Sequence, residues 1–188
     1  MIIRTVQPED AGQIAHIYRT YVEQTAITFE YDAPDANEIR SRIRHTLEKY
    51  PYLVAQEGDR ILGYAYAGPF KDRRAYDWSV EVSIYLDEHE RGRGCGKTLY
   101  HELERILAQQ NIINLNACIA YPEEEDEYLT RSSVRFHERM GYQMVGGFHQ
   151  CGYKFGKWYG MVWMEKMIAS HPEQPADVIP FSELKITE

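Results

Sequence analysis

A mixed α/β (α+β) sheet with helices packed on it is the fold class this sequence predicts, and three observations lead there. Runs with two-residue alternation of apolar side chains are interleaved with runs of three- and four-residue spacing, in the order strand, two helices, three strands, helix, strand, helix, two strands. A long alternating run, 76–86, passes through a glycine-rich turn straight into the best amphipathic helix, 94–110, and on to another strand, 112–120. If those two strands are parallel neighbours, the connection is a right-handed crossover. Third, 188 residues is the size of one compact domain. We read that domain over 1–169, with a proline-containing tail over 170–188.

Ile2 to Val6 form a weakly alternating first strand. Pro8, Glu9 and Asp10 then suit a first helical turn, where a proline loses no hydrogen bond and acids meet the positive dipole end. The first helix follows, with Ala11, Ile14, Ile17, Tyr18 and Tyr21 on one stripe. Ile39, Ile43 and Leu47 mark a second over 35–49. Tyr52–Gln56 and Arg60–Ala67 read as a hairpin turned at Glu57-Gly58-Asp59. The run 76–86 is expected to be the longest strand, with Val80, Val82, Ile84 and Leu86 on one face and Ser79, Glu81, Ser83 and Tyr85 on the other. Leu99, Leu103, Ile106 and Leu107 carry the third helix. The acidic run Glu123–Glu127 is expected to be a solvated loop, and Gly141 to stop a short helix over 132–140. Two last strands are placed near 142–149 and 158–167.

Composition excludes several classes of function. With 21 basic and 29 acidic residues the net charge is −8, which opposes binding to nucleic acid or to an anionic membrane over most of the surface. No basic flank leads into an apolar leader, and no apolar run has the roughly eighteen residues of a membrane span, so a cytoplasmic location is expected. Cys95, Cys118 and Cys151 are odd in number and contain no C-x-x-C pair, so free thiols are expected. The histidines show no metal spacing, and no metal site is expected.

Arg91-Gly92-Arg93-Gly94-Cys95-Gly96-Lys97, between the long strand and the best helix, carries the strongest chemistry. Glycines let backbone amides approach a ligand, and a helix start aims unpaired N–H groups and a positive dipole end at an anion. The bland alternative is a glycine turn with solvated arginines. A Walker loop fails because Arg91 stands where its first glycine belongs, and a dinucleotide fingerprint fails because its last glycine falls on Lys97 or Leu99. What remains is Arg-x-x-Gly-x-Gly opening a helix. Glu81, mid-strand on a polar face, is a candidate general base if burial raises its pKa, and an ordinary half-exposed glutamate otherwise.

Four further segments, Tyr50–Ala55, Gly63–Lys71 with Ala75–Leu86, Ser133–Tyr142 and Gly152–Trp158, occur in an order that resembles the GNAT superfamily, in its phosphinothricin and methionine sulfoximine N-acetyltransferase branch. The likeness spans about residues 2–167. It implies a mostly antiparallel sheet with one splayed parallel pair, helices on both faces, and acetyl-CoA entering the splay. It implies an acetyl transfer to a small-molecule primary amine by direct attack in a ternary complex, with Glu81 as base and His137 as proton donor to the leaving thiolate near neutral pH. Ser83, Ile84, Tyr85 and Leu86 would hold the thioester arm, and Arg91 to Lys97 the diphosphate. Lys71, Arg73 and Tyr76 match positions that contact an acidic acceptor, and the late Lys154-Phe-Gly-Lys-Trp motif implies a homodimer. The chain departs from the family in a longer 123–131 segment and in Thr130, where an asparagine is common. Other chemistries compatible with the residues are a Cys95 nucleophile with a lowered pKa at the helix start, a protein N-terminal acetyltransferase, and a silent acyl-CoA sensor.

Overall fold

The structure is a computed structural model and describes residues 1–185, so the last three positions of the expected tail lie outside the described residues. One seven-stranded sheet runs through it in the order β1-β2-β3-β4-β5-β7-β6. These strands are β1 (Ile2–Thr5), β2 (Tyr52–Glu57), β3 (Arg60–Pro69), β4 (Ser79–Leu86), β5 (Asn114–Tyr121), β6 (Gln143–Lys154) and β7 (Lys157–Met167). The helices are α1 (Ala11–Gln24), α2 (Ala36–Lys49), α3 (Cys95–Gln109) and α4 (Ser132–Arg139). Every neighbouring pair is antiparallel except β4 and β5.

Apolar alternation decides which face each helix covers. Val80 and Val82 of β4 join Leu115, Ala117 and Ile119 of β5 in one core with Leu99, Leu103, Ile106 and Leu107 of α3 and Val134 of α4. On the other face, Ile14, Ile17, Tyr18, Tyr21 and Val22 of α1 and Ile39 and Ile43 of α2 pack on Tyr52, Val54 and Tyr64. Asp35 caps α2 by accepting from the amides of Asn37 and Glu38, which satisfies two of the donors a helix start leaves free.

Several expectations need correction. β4 begins only at Ser79, because Arg74–Tyr76 close a 3-10 turn, and at eight residues it is shorter than β6, which has twelve. β6 runs past 149 to Lys154 through two register shifts. The acidic run is not simply solvated. Asp126 accepts from the amides of Tyr128 and Leu129 on one oxygen, and from Lys157 Nζ and Tyr159 Oη on the other. Glu125 accepts from the amide of Arg131 and from the Arg135 guanidinium. In the tail, Trp78 Nε1 donates to the carbonyl of Ala176, Gln110 Nε2 to that of Ile179, and Val178, Phe181 and Leu184 pack on the α3-side core.

Met144, Val145, Phe148, Tyr153 and Trp158, on β6 and the start of β7, are exposed. Among the described residues, no helix is long and apolar enough to cross a membrane.

The Asp126 carboxylate ties the 122–131 loop to β7, so Asp126→Ala should lower unfolding free energy by about 2–4 kcal/mol, and Asp126→Asn, which keeps an acceptor for the two amides, by less. Denaturant titration of the three proteins measures both.

Candidate active site

The chemistry centres on the place where β4 and β5 part. They pair in parallel only at Ser79–Asn114, Val80–Leu115 and Glu81–Asn116, after which β4 stays with β3 and β5 with β7. Asn116 Nδ2 donates to the Val80 carbonyl at 3.1 Å, and the amide and carbonyl of Leu86 both meet Tyr21 Oη. Val80 and Leu86 therefore turn their backbone groups away from β3, and antiparallel alternation turns Val82 and Ile84 the same way. Ser83 and Tyr85 belong to the β3 ladder, so Ile84 is the one of the four expected thioester residues that presents an uncommitted amide to the gap. The resulting cleft is lined by Ile27, Ser83, Ile84, Cys118, Ser133 and His137, among others.

Glu81 lies at the closed end of this cleft, on the α1/α2 face. Burial raises its pKa and Lys71 partly opposes the rise. Its neighbourhood contains Tyr66, whose hydroxyl bonds Ser83, and Cys118. The Lys71 ammonium lies over the rings of Phe70 and Trp163, 4.9 and 5.5 Å from their centroids. Tyr76 meets Phe70 edge-on and lines a groove with Lys71, while Arg73 is exposed at the start of the 3-10 turn. Of the three expected acceptor contacts, Lys71 is the one whose charge acts on Glu81.

His137 sits on the opposite face of the sheet, only 3% exposed. Its Nδ1 is 2.8 Å from the Ser133 carbonyl, which can only accept, so the ring hydrogen is on Nδ1. Nε2 consequently accepts from Tyr100 Oη at 2.9 Å. Burial pulls its pKa down from 6.5 to about 4. The imidazolium expected near neutral pH is therefore scarce, because the surroundings cannot solvate the charge.

The turn after β4 is built by ionic pairs. Glu90, 4% exposed, holds Arg93 at 2.8 Å and Arg60 at 3.2 Å. Gly92 and Gly94 have φ of +77° and +86°, values that L side chains rarely adopt, and Gly94 caps α3. The first helical bond is from Thr98 N to Gly94 O, which leaves the amides of Cys95, Gly96 and Lys97 aimed out of the helix start. Cys95 does not have the lowered pKa of a helix-start nucleophile: burial, with Glu90 nearby, pushes it up to about 11. Among the described residues, no three His, Cys, Asp or Glu side chains gather to hold a metal ion.

A gap open to one unpaired amide, leading to a helix start with outward amides and cationic flanks, fits an extended thioester with a diphosphate. The sequence matches the acetyltransferase (GNAT) domain over residues 3–163. The chain belongs to the GNAT acetyltransferases. It is an acyl-CoA-dependent N-acetyltransferase, and acetyl-CoA is its acyl donor. Among GNAT relatives, it is 30% identical over 97% of its length, and 95% of the relative's, to a phosphinothricin N-acetyltransferase of Streptomyces viridochromogenes. It is 31% identical over 87% of its length, and 92% of the relative's, to an L-methionine sulfoximine/L-methionine sulfone acetyltransferase of Pseudomonas aeruginosa. The structure of a GNAT phosphinothricin acetyltransferase from Sinorhizobium meliloti in complex with acetyl-CoA superposes with a TM-score of 0.86 at 30% identity, covering 97% of both chains.

Sequence reasoning missed Tyr21, Tyr66, Glu90, Tyr100 and Trp163. Tyr21 and Tyr100 sit at helix positions that read as core, and Trp163 at a strand position; nothing in a periodicity tells a buried ring from one whose hydroxyl meets the site. Glu90 carried a signal, an acid directly before a cationic turn.

The unfolded chain takes up the His137 proton near pH 6.5, whereas the folded one resists it until about pH 4. Lowering the pH through that window should therefore cost stability, by roughly 3 kcal/mol at its lower end. His137→Gln should remove this slope, which unfolding curves between pH 7 and 4.5 will measure.

Proposed function

We propose that this enzyme acetylates the primary amine of a small amino-acid-like acceptor that carries a second acidic or strongly hydrogen-bonding group, of the phosphinothricin or methionine sulfone and sulfoximine type. The observation that carries the reading is Lys71 beside Glu81 at the closed end of the gap, a cation for the acceptor's second group next to a base for its ammonium. The names of the relatives support it.

Glu81, with its raised pKa, takes the ammonium proton, directly or through water, and the freed amine attacks the thioester carbonyl. The Ile84 amide is placed to stabilise the developing oxyanion, and the amides at 95–97, with Arg91 and Lys97, to hold the diphosphate. His137 lines the side from which the thiolate departs. To protonate that sulfur, its Nε2 must first acquire the proton, so its loss should cost less than loss of Glu81. Phe70, Trp163 and Tyr76 form the apolar wall beneath the acceptor. The exposed apolar residues of β6 and Trp158 support a homodimer.

Glu81→Gln preserves shape but cannot accept the proton, so kcat should fall about a hundredfold or more with the KM for acetyl-CoA nearly unchanged. Steady-state kinetics at neutral pH decide this, and wild-type turnover removes Glu81 from the mechanism.

Lys71→Met should raise the KM of acidic acceptors about tenfold or more, the range of one charged hydrogen bond, and leave uncharged amines almost unaffected. Arg73→Ala should have the smaller effect. Equal losses for charged and uncharged acceptors in an amino-acid panel would count against this substrate class.

A further inference from the structure

We propose that Tyr21 of α1 is a positioning residue for acetyl-CoA: its hydroxyl closes the outer end of the β4–β5 gap while its ring carries Arg91. Tyr21 Oη donates to the Leu86 carbonyl at 2.6 Å and accepts from the Leu86 amide at 3.1 Å. One oxygen thus satisfies both backbone groups on the edge that β5 has left. The ring is locked, being 6% exposed and set edge-on against Tyr85 at 5.0 Å. Its face lies 5.3 Å from the Arg91 guanidinium.

The two arginines of the turn are held in different ways, and that difference gives the inference its content. Arg93 is paired with the buried Glu90 carboxylate, which answers its charge. Among the described residues, Arg91 has no carboxylate partner; it rests on an aromatic face, which orients the guanidinium without consuming its N–H donors. Arg91 is therefore the arginine whose charge and donor fork stay available for a diphosphate, and Tyr21 sets where that fork stands relative to the end of β4. The same side chain couples the strand edge, where the thioester arm runs, to the turn where the anion sits.

The inference rests on the reading of residues 91–97 as the diphosphate site, and the variants separate the two. Tyr21→Phe keeps the ring and loses the hydroxyl; Tyr21→Leu loses both. With acetyl-CoA, Tyr21→Phe should raise KM about five- to tenfold, with kcat and the acceptor KM within about twofold. Tyr21→Leu should raise the acetyl-CoA KM about fivefold further, and this added loss should vanish with S-acetylpantetheine, which has no diphosphate for Arg91 to meet. Gly94→Val, which strains the turn itself, serves as the control. An unchanged acetyl-CoA KM in Tyr21→Phe, or an equal loss for acceptor and donor, while Gly94→Val has lost CoA affinity by calorimetry, overturns the role of Tyr21 and leaves the turn as the cofactor site. Unchanged CoA affinity in Gly94→Val overturns the reading of the turn.

Discussion

β4 and β5 share only three residue pairs before they separate, and the remaining architecture answers the polar backbone that this exposes. Buried N–H and C=O groups need partners. At the closed end, Asn116 supplies one to Val80; at the open end, Tyr21 supplies two to Leu86. Between them, the Ile84 amide is left for an extended ligand. Close packing of α3 under the strand helps set this geometry, since a Cβ at Gly96 would stand 3.3–3.4 Å from Phe136, Ile84 and Leu86. β5 keeps its ladder with β7 from Asn114 to Tyr121, and only its other edge faces the gap.

Desolvation acts in opposite directions on the two titratable groups flanking the gap and leads both toward neutrality. It raises Glu81, a carboxylate, and depresses His137, an imidazole. A base with a raised pKa is suited to taking a proton from an ammonium. An imidazole with a depressed pKa is a poor proton reservoir, and its bonds to Ser133 and Tyr100 make it a rigid part of the wall. Cations flank the gap although the chain as a whole is acidic, with the Lys71 charge acting on Glu81 and Arg91 and Lys97 at the turn.

Three segments from distant parts of the chain build the remaining wall. Lys154, 3% exposed, donates to the Thr28 carbonyl at 2.8 Å, and the ring of Phe29 fills the place that a side chain at Gly152 would need. Ala26 N donates to the Tyr128 carbonyl. The α1–α2 connection, the 122–131 loop and the β6–β7 hairpin are thereby one unit. The 122–131 loop is held both by Asp126 and by apolar packing, with Leu129 buried against Ala26 and Tyr159 and the Tyr128 ring stacked on Phe155.

The order and type of the elements, the glycine turn, Glu81 on the polar face of its strand, and the family can all be read along the unfolded chain. These follow from local periodicity and from contiguous motifs, which side-chain alternation and helix geometry make legible along the chain. Folding was needed to show which backbone amides face the gap, that Arg93 is answered by Glu90 while Arg91 lies on Tyr21, that burial disfavours a charged His137, and that the stretch from Ala176 to Leu184 packs on the body. Most of these depend on partners tens of residues apart, as with Tyr21 and Leu86 or Tyr100 and His137, and the Arg93–Glu90 pair, though close in sequence, depends on the burial of Glu90. Burial and hydrogen-bond direction, which set charge state and availability, exist only once those partners have been brought together.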